Sequence, residues 1–147
     1  MHAQRYSSYS RTSGRHGGRS RLLGRPGGPL EGDAQLFQER NQEKFKQHVR
    51  SRIALIRSGK YQETFGVPGV IVSYGTTGQS PEYRATRVRT MNAWTREVLA
   101  ELSLQNWGGI FRFTAVEFDN LYDQAASLFE EPVWLRPDTK DTVRLFE

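Results

Sequence analysis

The stretch Gly69-Val70-Ile71-Val72-Ser73-Tyr74-Gly75, followed by Thr76-Thr77-Gly78-Gln79 and then Ser80-Pro81-Glu82, decides the fold. A compact β-branched run bounded by glycines reads as a buried strand. Thr76 to Gln79 is a loop. Ser80 then supplies an N-cap, Pro81 the favoured first helical residue and Glu82 an acid for the positive end of the helix dipole. The helix opened there is expected to run to about Ser103, with a core face of Val88, Met91, Trp94 or Thr95, Val98 and Leu102. Asn106 to Gly109 interrupts that pattern. Ile110 to Val116 follows as a second strand, whose alternation puts Phe111 and Phe113 on one face.

Upstream, Phe37, Phe45, Val49, Ile53 and Ile56 recur at helical spacing, predicting an amphipathic helix from about Gln35 to Ser58. Asp33 is its candidate N-cap, and Gly59 ends it. The order helix, strand, helix, strand favours a parallel pair of strands joined by a right-handed crossover. Downstream, a short helix is expected over Asp119 to Phe129. The prolines of Glu131-Pro132-Val133-Trp134-Leu135-Arg136-Pro137 keep that tail extended, because each restricts the residue before it.

The fold class is therefore α/β, with two long helices on a small, parallel and incomplete sheet. Two strands alone make a marginal sheet. Either a further strand lies near residues 29 to 33, or the C-terminal tail pairs with the sheet, or another copy of the chain completes it.

Composition narrows the chemistry. The 147 residues include no cysteine, which removes disulfides, thiol nucleophiles and cysteine-based zinc sites. His2, His16 and His48 are too far apart in sequence to form a compact histidine metal site. No apolar run approaches the ~18 residues of a membrane helix, so the expectation is a cytoplasmic protein with no membrane partner and no small-molecule cofactor. Ser, His and Asp show no catalytic spacing, and His48 has no obvious partner.

The net charge of +5 is concentrated at one end. Residues 1–30 hold Arg5, Arg11, Arg15, Arg19, Arg21 and Arg25 with no acid, leaving 15 of the 21 basic residues and all 16 acidic ones in the remainder. Residues 1–29 thus read as a disordered Arg/Gly/Ser-rich arm, and 30–147 as the folded part. The six arginines are candidate nucleic-acid contacts, with Tyr6 and Tyr9 available to stack on bases; a solvated tail has the same composition. Lys44, Lys46, Arg50, Arg52 and Arg57 on the first helix, and Arg84, Arg87, Arg89 and Arg96 on the second, could touch a phosphate backbone. Glu39, Glu43, Glu82 and Glu97 on the same helices dilute any positive stripe. The Gly75 to Gly78 loop lacks a Walker lysine and reads as ordinary, and Trp94, Trp107 and Trp134 read as packing anchors.

Arg57-Ser58-Gly59-Lys60-Tyr61-Gln62-Glu63-Thr64-Phe65-Gly66-Val67, placed between an amphipathic helix and Val70-Ile71-Val72-Ser73-Tyr74, resembles the replication-relaxation family of bacterial plasmid and mobile-element proteins. The resemblance continues through Ile110 to Val116 to Pro132-Val133-Trp134 and covers about residues 30 to 137. It implies part of a restriction-endonuclease-like domain, in proteins that act on DNA during plasmid replication or mobilisation. The family's Glu-x-Asp element and following lysine look similar to Glu31, Asp33 and Lys44. On a strand, two such carboxylates would share a face, where they could hold Mg²⁺ beside a charge-stabilising lysine. The prolines and glycines before Leu30 argue instead for a helix cap at Asp33. The family's upstream strands and winged helix have no counterpart in residues 1–29. The expectation is a truncated, non-catalytic homologue that binds DNA weakly. The alternatives are a self-associating interaction module and a Mg²⁺-dependent nuclease completed by a missing upstream part.

Overall fold

The computed structural model describes the backbone of residues 31–147 and the side chains from residue 38 onward, Phe118 excepted. The expected arm, including Arg5, Arg11, Arg15, Arg19, Arg21 and Arg25, lies outside the described residues. Helix α1 spans Glu31–Arg57 and a short helix α2 spans Lys60–Phe65. Strand β1 (Val72–Thr76), helix α3 (Pro81–Glu101) and strand β2 (Phe111–Ala115) follow, then helix α4 (Leu121–Glu130) and two short strands, β3 (Trp134–Leu135) and β4 (Thr142–Val143).

The strand–loop–helix reading holds at its start. Ser80 is extended, and its hydroxyl accepts the Tyr83 amide at 3.1 Å ahead of Pro81. Helix α1 begins earlier than its sequence signals place it, so Asp33 lies within its first turn rather than at the cap. Gly59 and Gly66, at φ 73° and 67°, bracket α2, which the periodicity did not reveal. At six residues with none buried, α2 has no apolar stripe to read.

The sheet has the order β1-β2-β3-β4. The β1–β2 pair is parallel, with Val72 opposite Phe111 and Tyr74 opposite Phe113. The expected parallel pair is therefore formed, and the other two pairs, which are antiparallel, make the sheet mixed. The extended tail supplies both: β3 returns after α4 to run antiparallel to β2, and the short connection from β3 to β4, with no helix between them, reverses the chain again. Of the three ways to complete the sheet, pairing by the C-terminal tail is formed, and residues 31–33 are helical.

Each face of the sheet has its own core. Val49 and Ile53 of α1, and Val88, Met91, Val98 and Leu99 of α3, pack on Phe111 and Phe113, with Val72, Tyr74 and Leu135 at the margin. Tyr74 and Phe113, paired across the strands, stack with ring centroids 5.3 Å apart and planes 5° from parallel. On the opposite face Trp134 and its partner Val143 pack with Leu145, Leu128 and Val133, and the Trp134 indole donates to the Leu128 carbonyl of α4 at 2.7 Å. The expected α3 face is shifted by one turn at its end: Thr95 and Leu99 are buried while Leu102 is exposed.

Arg112 departs from the sequence pattern. It points away from the two phenylalanines yet is only 1% exposed. Its guanidinium donates to the carbonyls of Gly109 at 2.6 Å, Phe111 at 3.1 Å and Glu147 at 3.3 Å, so main-chain oxygens hold its charge. Burial moves its pKa downward. Arg96 of α3 donates to the Pro137 carbonyl at 2.9 Å, fixing the same tail from the other side of the sheet.

Candidate functional site

The structure sorts the cations of α1 and α3 into two groups. Lys46 reaches Glu97 at 2.7 Å and Glu101 at 3.5 Å. Arg50 reaches Glu43 at 2.9 Å and Glu101 at 2.8 Å. In this network the hydrogen bond to Glu97 raises the Lys46 pKa and that to Arg50 lowers the Glu101 pKa. These charges answer one another.

The second group has no such balance. His48 and Arg52 of α1, Arg87 of α3, and Tyr74 and Thr76 of β1 line a cavity of about 320 Å³ together with the apolar Phe45 and Met91. No carboxylate lines it. It lies beside the carboxyl end of β1, where open α/β sheets place their ligands. Helical spacing explains the sorting on α1: His48 and Arg52 are four apart and share a face, while Lys46 and Arg50 share another.

Tyr74 adds an unsatisfied polar atom. Its hydroxyl is buried and makes no well-formed hydrogen bond, although the Arg52 side chain comes close enough to act on it. Burial raises its pKa, against smaller opposing effects of the Arg52 charge and of hydrogen bonding to Arg52, so the phenol stays protonated and can donate. Its ring is fixed by stacking on Phe113 and by Phe45, whose centroid is 5.4 Å away. The site therefore offers two guanidinium groups, an imidazole and an oriented phenol to an anion.

A second cavity, of about 520 Å³, adjoins the first and shares Phe45, Arg87 and Met91 with it. Arg87 also donates to the Tyr83 hydroxyl at 3.1 Å. The loops at the carboxyl ends of both parallel strands are joined by Arg84, which is 9% exposed. It donates to the Gly78 carbonyl at 2.8 Å and to Glu117 at 2.5 Å.

Glu31, Asp33 and Lys44 all lie on α1. Positions two apart on a helix do not share a face, and Asp33 and Lys44 are separated by about 16 Å along the axis at ~1.5 Å per residue. The strand arrangement needed for both carboxylates to hold one Mg²⁺ is not formed at these positions. Lys44 is exposed.

Sequence reasoning placed Arg52 and Arg87 among nine helix cations without separating them, and left His48 without a partner. Only the packing of α1 against β1 and α3 brings these three together. The signal that could have found them is the four-residue spacing of His48 and Arg52 on a face free of acids.

Comparison of the chain with protein-family models, with curated proteins and with solved structures gives no match.

Proposed function

We propose that the chain is a DNA-associated, non-catalytic protein, similar to the replication-relaxation proteins of plasmid replication or mobilisation. In this reading it contacts the phosphate backbone through the cavity between α1, β1 and α3. The observation that carries the reading is the convergence of His48, Arg52 and Arg87, with no lining carboxylate, around the buried Tyr74 hydroxyl. Arginine suits phosphate because its planar donors match two oxygens at once. The six arginines of residues 1–30 add sequence-independent attraction in the same reading. The resemblance around Arg57 to Val67 supports the DNA context. The positions of Glu31, Asp33 and Lys44 on one helix favour binding without cleavage.

The test is a fluorescence-anisotropy titration of the whole chain with DNA at low salt. Arg52→Ala with Arg87→Ala is expected to weaken binding at least tenfold. Unchanged affinity in that double variant refutes the site.

A second reading, a module that associates with itself, is favoured by the outer edge of β1, which has no strand partner among the described residues. Beside it Phe65, Val67 and Ile71 are exposed. An open edge with apolar neighbours invites strand pairing. Sedimentation showing a monomer at all concentrations eliminates it.

A further inference from the structure

We infer that the larger cavity between α1 and the first half of α3 accepts an unpaired nucleobase, so that the site selects single-stranded over duplex DNA. This rests on the phosphate-binding reading above and deepens it. The cavity of about 520 Å³ is lined by Trp94 and Tyr83, by the amides of Gln38 and Asn41, and by Thr86. Again no carboxylate or lysine is among the lining residues.

Each component has a counterpart in a base. The indole and phenol offer flat apolar surfaces for stacking, which every base accepts. Trp94 is braced by Phe45, with centroids 5.9 Å apart, and so is held rather than free to turn. Tyr83 is 53% exposed at the mouth, its hydroxyl engaged by Arg87. The side-chain amides each present a donor and an acceptor, matching the mixed donor and acceptor edges that bases turn to one another in a duplex.

Arg87 lines both cavities. A strand whose phosphate meets Arg52 and Arg87 in the smaller cavity thus has the larger one alongside for the base of the same or a neighbouring nucleotide. A duplex cannot use it. Its bases are stacked inside and their pairing edges are occupied, so entry would require a base to be flipped out at a cost in pairing and stacking. A purely electrostatic site would favour the duplex, with its greater charge density.

The experiment compares a labelled oligothymidylate with a blunt mixed-sequence duplex of equal length, titrated against the whole chain by anisotropy at one low salt concentration. The expected result is at least tenfold tighter binding of the single strand. Gln38→Ala with Asn41→Ala, both at exposed positions, should reduce that preference at least threefold while leaving duplex affinity unchanged. Trp94→Phe, which keeps an aromatic ring against Phe45, should retain the preference, and Trp94→Leu should lose it; circular dichroism establishes that both are folded. Equal affinities for the two DNAs, both lost on Arg52→Ala with Arg87→Ala, would overturn the base cavity and leave the phosphate site standing. A single-strand preference that survives both the amide and Trp94→Leu changes also overturns it. Binding of neither DNA, or binding indifferent to Arg52 and Arg87, overturns the phosphate site and this inference with it.

Discussion

Arg84 and Glu117 form an ion pair of 2.5 Å that joins the two loops at the carboxyl ends of the parallel strands. Arg84 is placed for it by the first turn of α3, and its other terminal nitrogen holds the Gly78 carbonyl at 2.8 Å. Glu117 is positioned in turn by Asn120, whose amide donates to its second oxygen at 3.3 Å. One guanidinium thus fixes the β1–α3 loop relative to the segment following β2.

Removing that carboxylate should be costly but not catastrophic. The Glu117 side chain is 41% exposed, so water can partly replace it. Glu117→Gln is expected to lower stability by about 1 kcal/mol, and Arg84→Ala by about 2 kcal/mol, since the latter also strips the Gly78 carbonyl of its donor. Urea denaturation checks both values, and an Arg84→Ala midpoint equal to that of the parent chain would mean the loops are fixed by other contacts.

Tyr74→Phe separates stability from binding. The buried hydroxyl makes no well-formed hydrogen bond in the free protein, with only Arg52 acting on it, so its removal should change stability by less than about 1 kcal/mol. The same hydroxyl, offered to a phosphate oxygen, is worth about 1.5 kcal/mol or more as a charge-assisted hydrogen bond, a loss of roughly tenfold in DNA affinity. Thermal unfolding and anisotropy on one preparation give both numbers. Loss of stability with intact affinity would assign Tyr74 to the core alone.

Salt dependence distinguishes the two groups of cations. If Arg52 and Arg87 each neutralise one phosphate, replacing each by alanine should reduce the slope of log affinity against log salt by about 0.7 on a single strand. Lys46→Ala and Arg50→Ala should leave the slope unchanged, because those groups already face Glu43, Glu97 and Glu101. Equal effects from all four would show that binding follows net charge and not the cavity.

The contrast between these groups also marks how far the sequence could be read. Val70 to Gly75, Ser80-Pro81 and Phe111 with Phe113 carry local signals, a β-branched run, a capping residue and an alternation, and the strand–helix–strand unit follows from them. The antiparallel strands did not announce themselves. Trp134-Leu135 and Thr142-Val143 are two residues each, too short for a period, and their pairing depends on contacts with β2 and with each other. Arg112 reads locally as the polar face of a strand, yet it is buried and held by the neighbouring Gly109 and Phe111 carbonyls together with that of Glu147 from the tail. The candidate site was legible only as a list of cations, since the convergence of His48, Arg52 and Arg87 is a property of packing between three elements.

Acid should loosen the tail through Asp138. Its carboxylate accepts from Arg136 Nε at 2.8 Å and Nη2 at 2.6 Å, and this hydrogen bonding holds its pKa below the ordinary aspartate value of 3.8. The unfolded chain, with its ordinary carboxylate, therefore takes up the proton first as pH falls. The pair's contribution is complete above pH 3.8 and disappears as pH drops through the lower folded value. Asp138→Asn should be less stable than the parent at neutral pH by a constant amount, and the gap should close in acid below pH 3.8. Glu101, also held low by Arg50, lies on α3 and is present in both proteins, so its acid loss cancels in the comparison. Urea midpoints at neutral and acidic pH supply the four values needed. A gap that persists undiminished in acid would mean that the carboxylate charge does not stabilise the tail, leaving the fit of Asp138 against Gly108, where an added Cβ would stand 2.6 Å from the Asp138 Cβ, as the reason the residue matters.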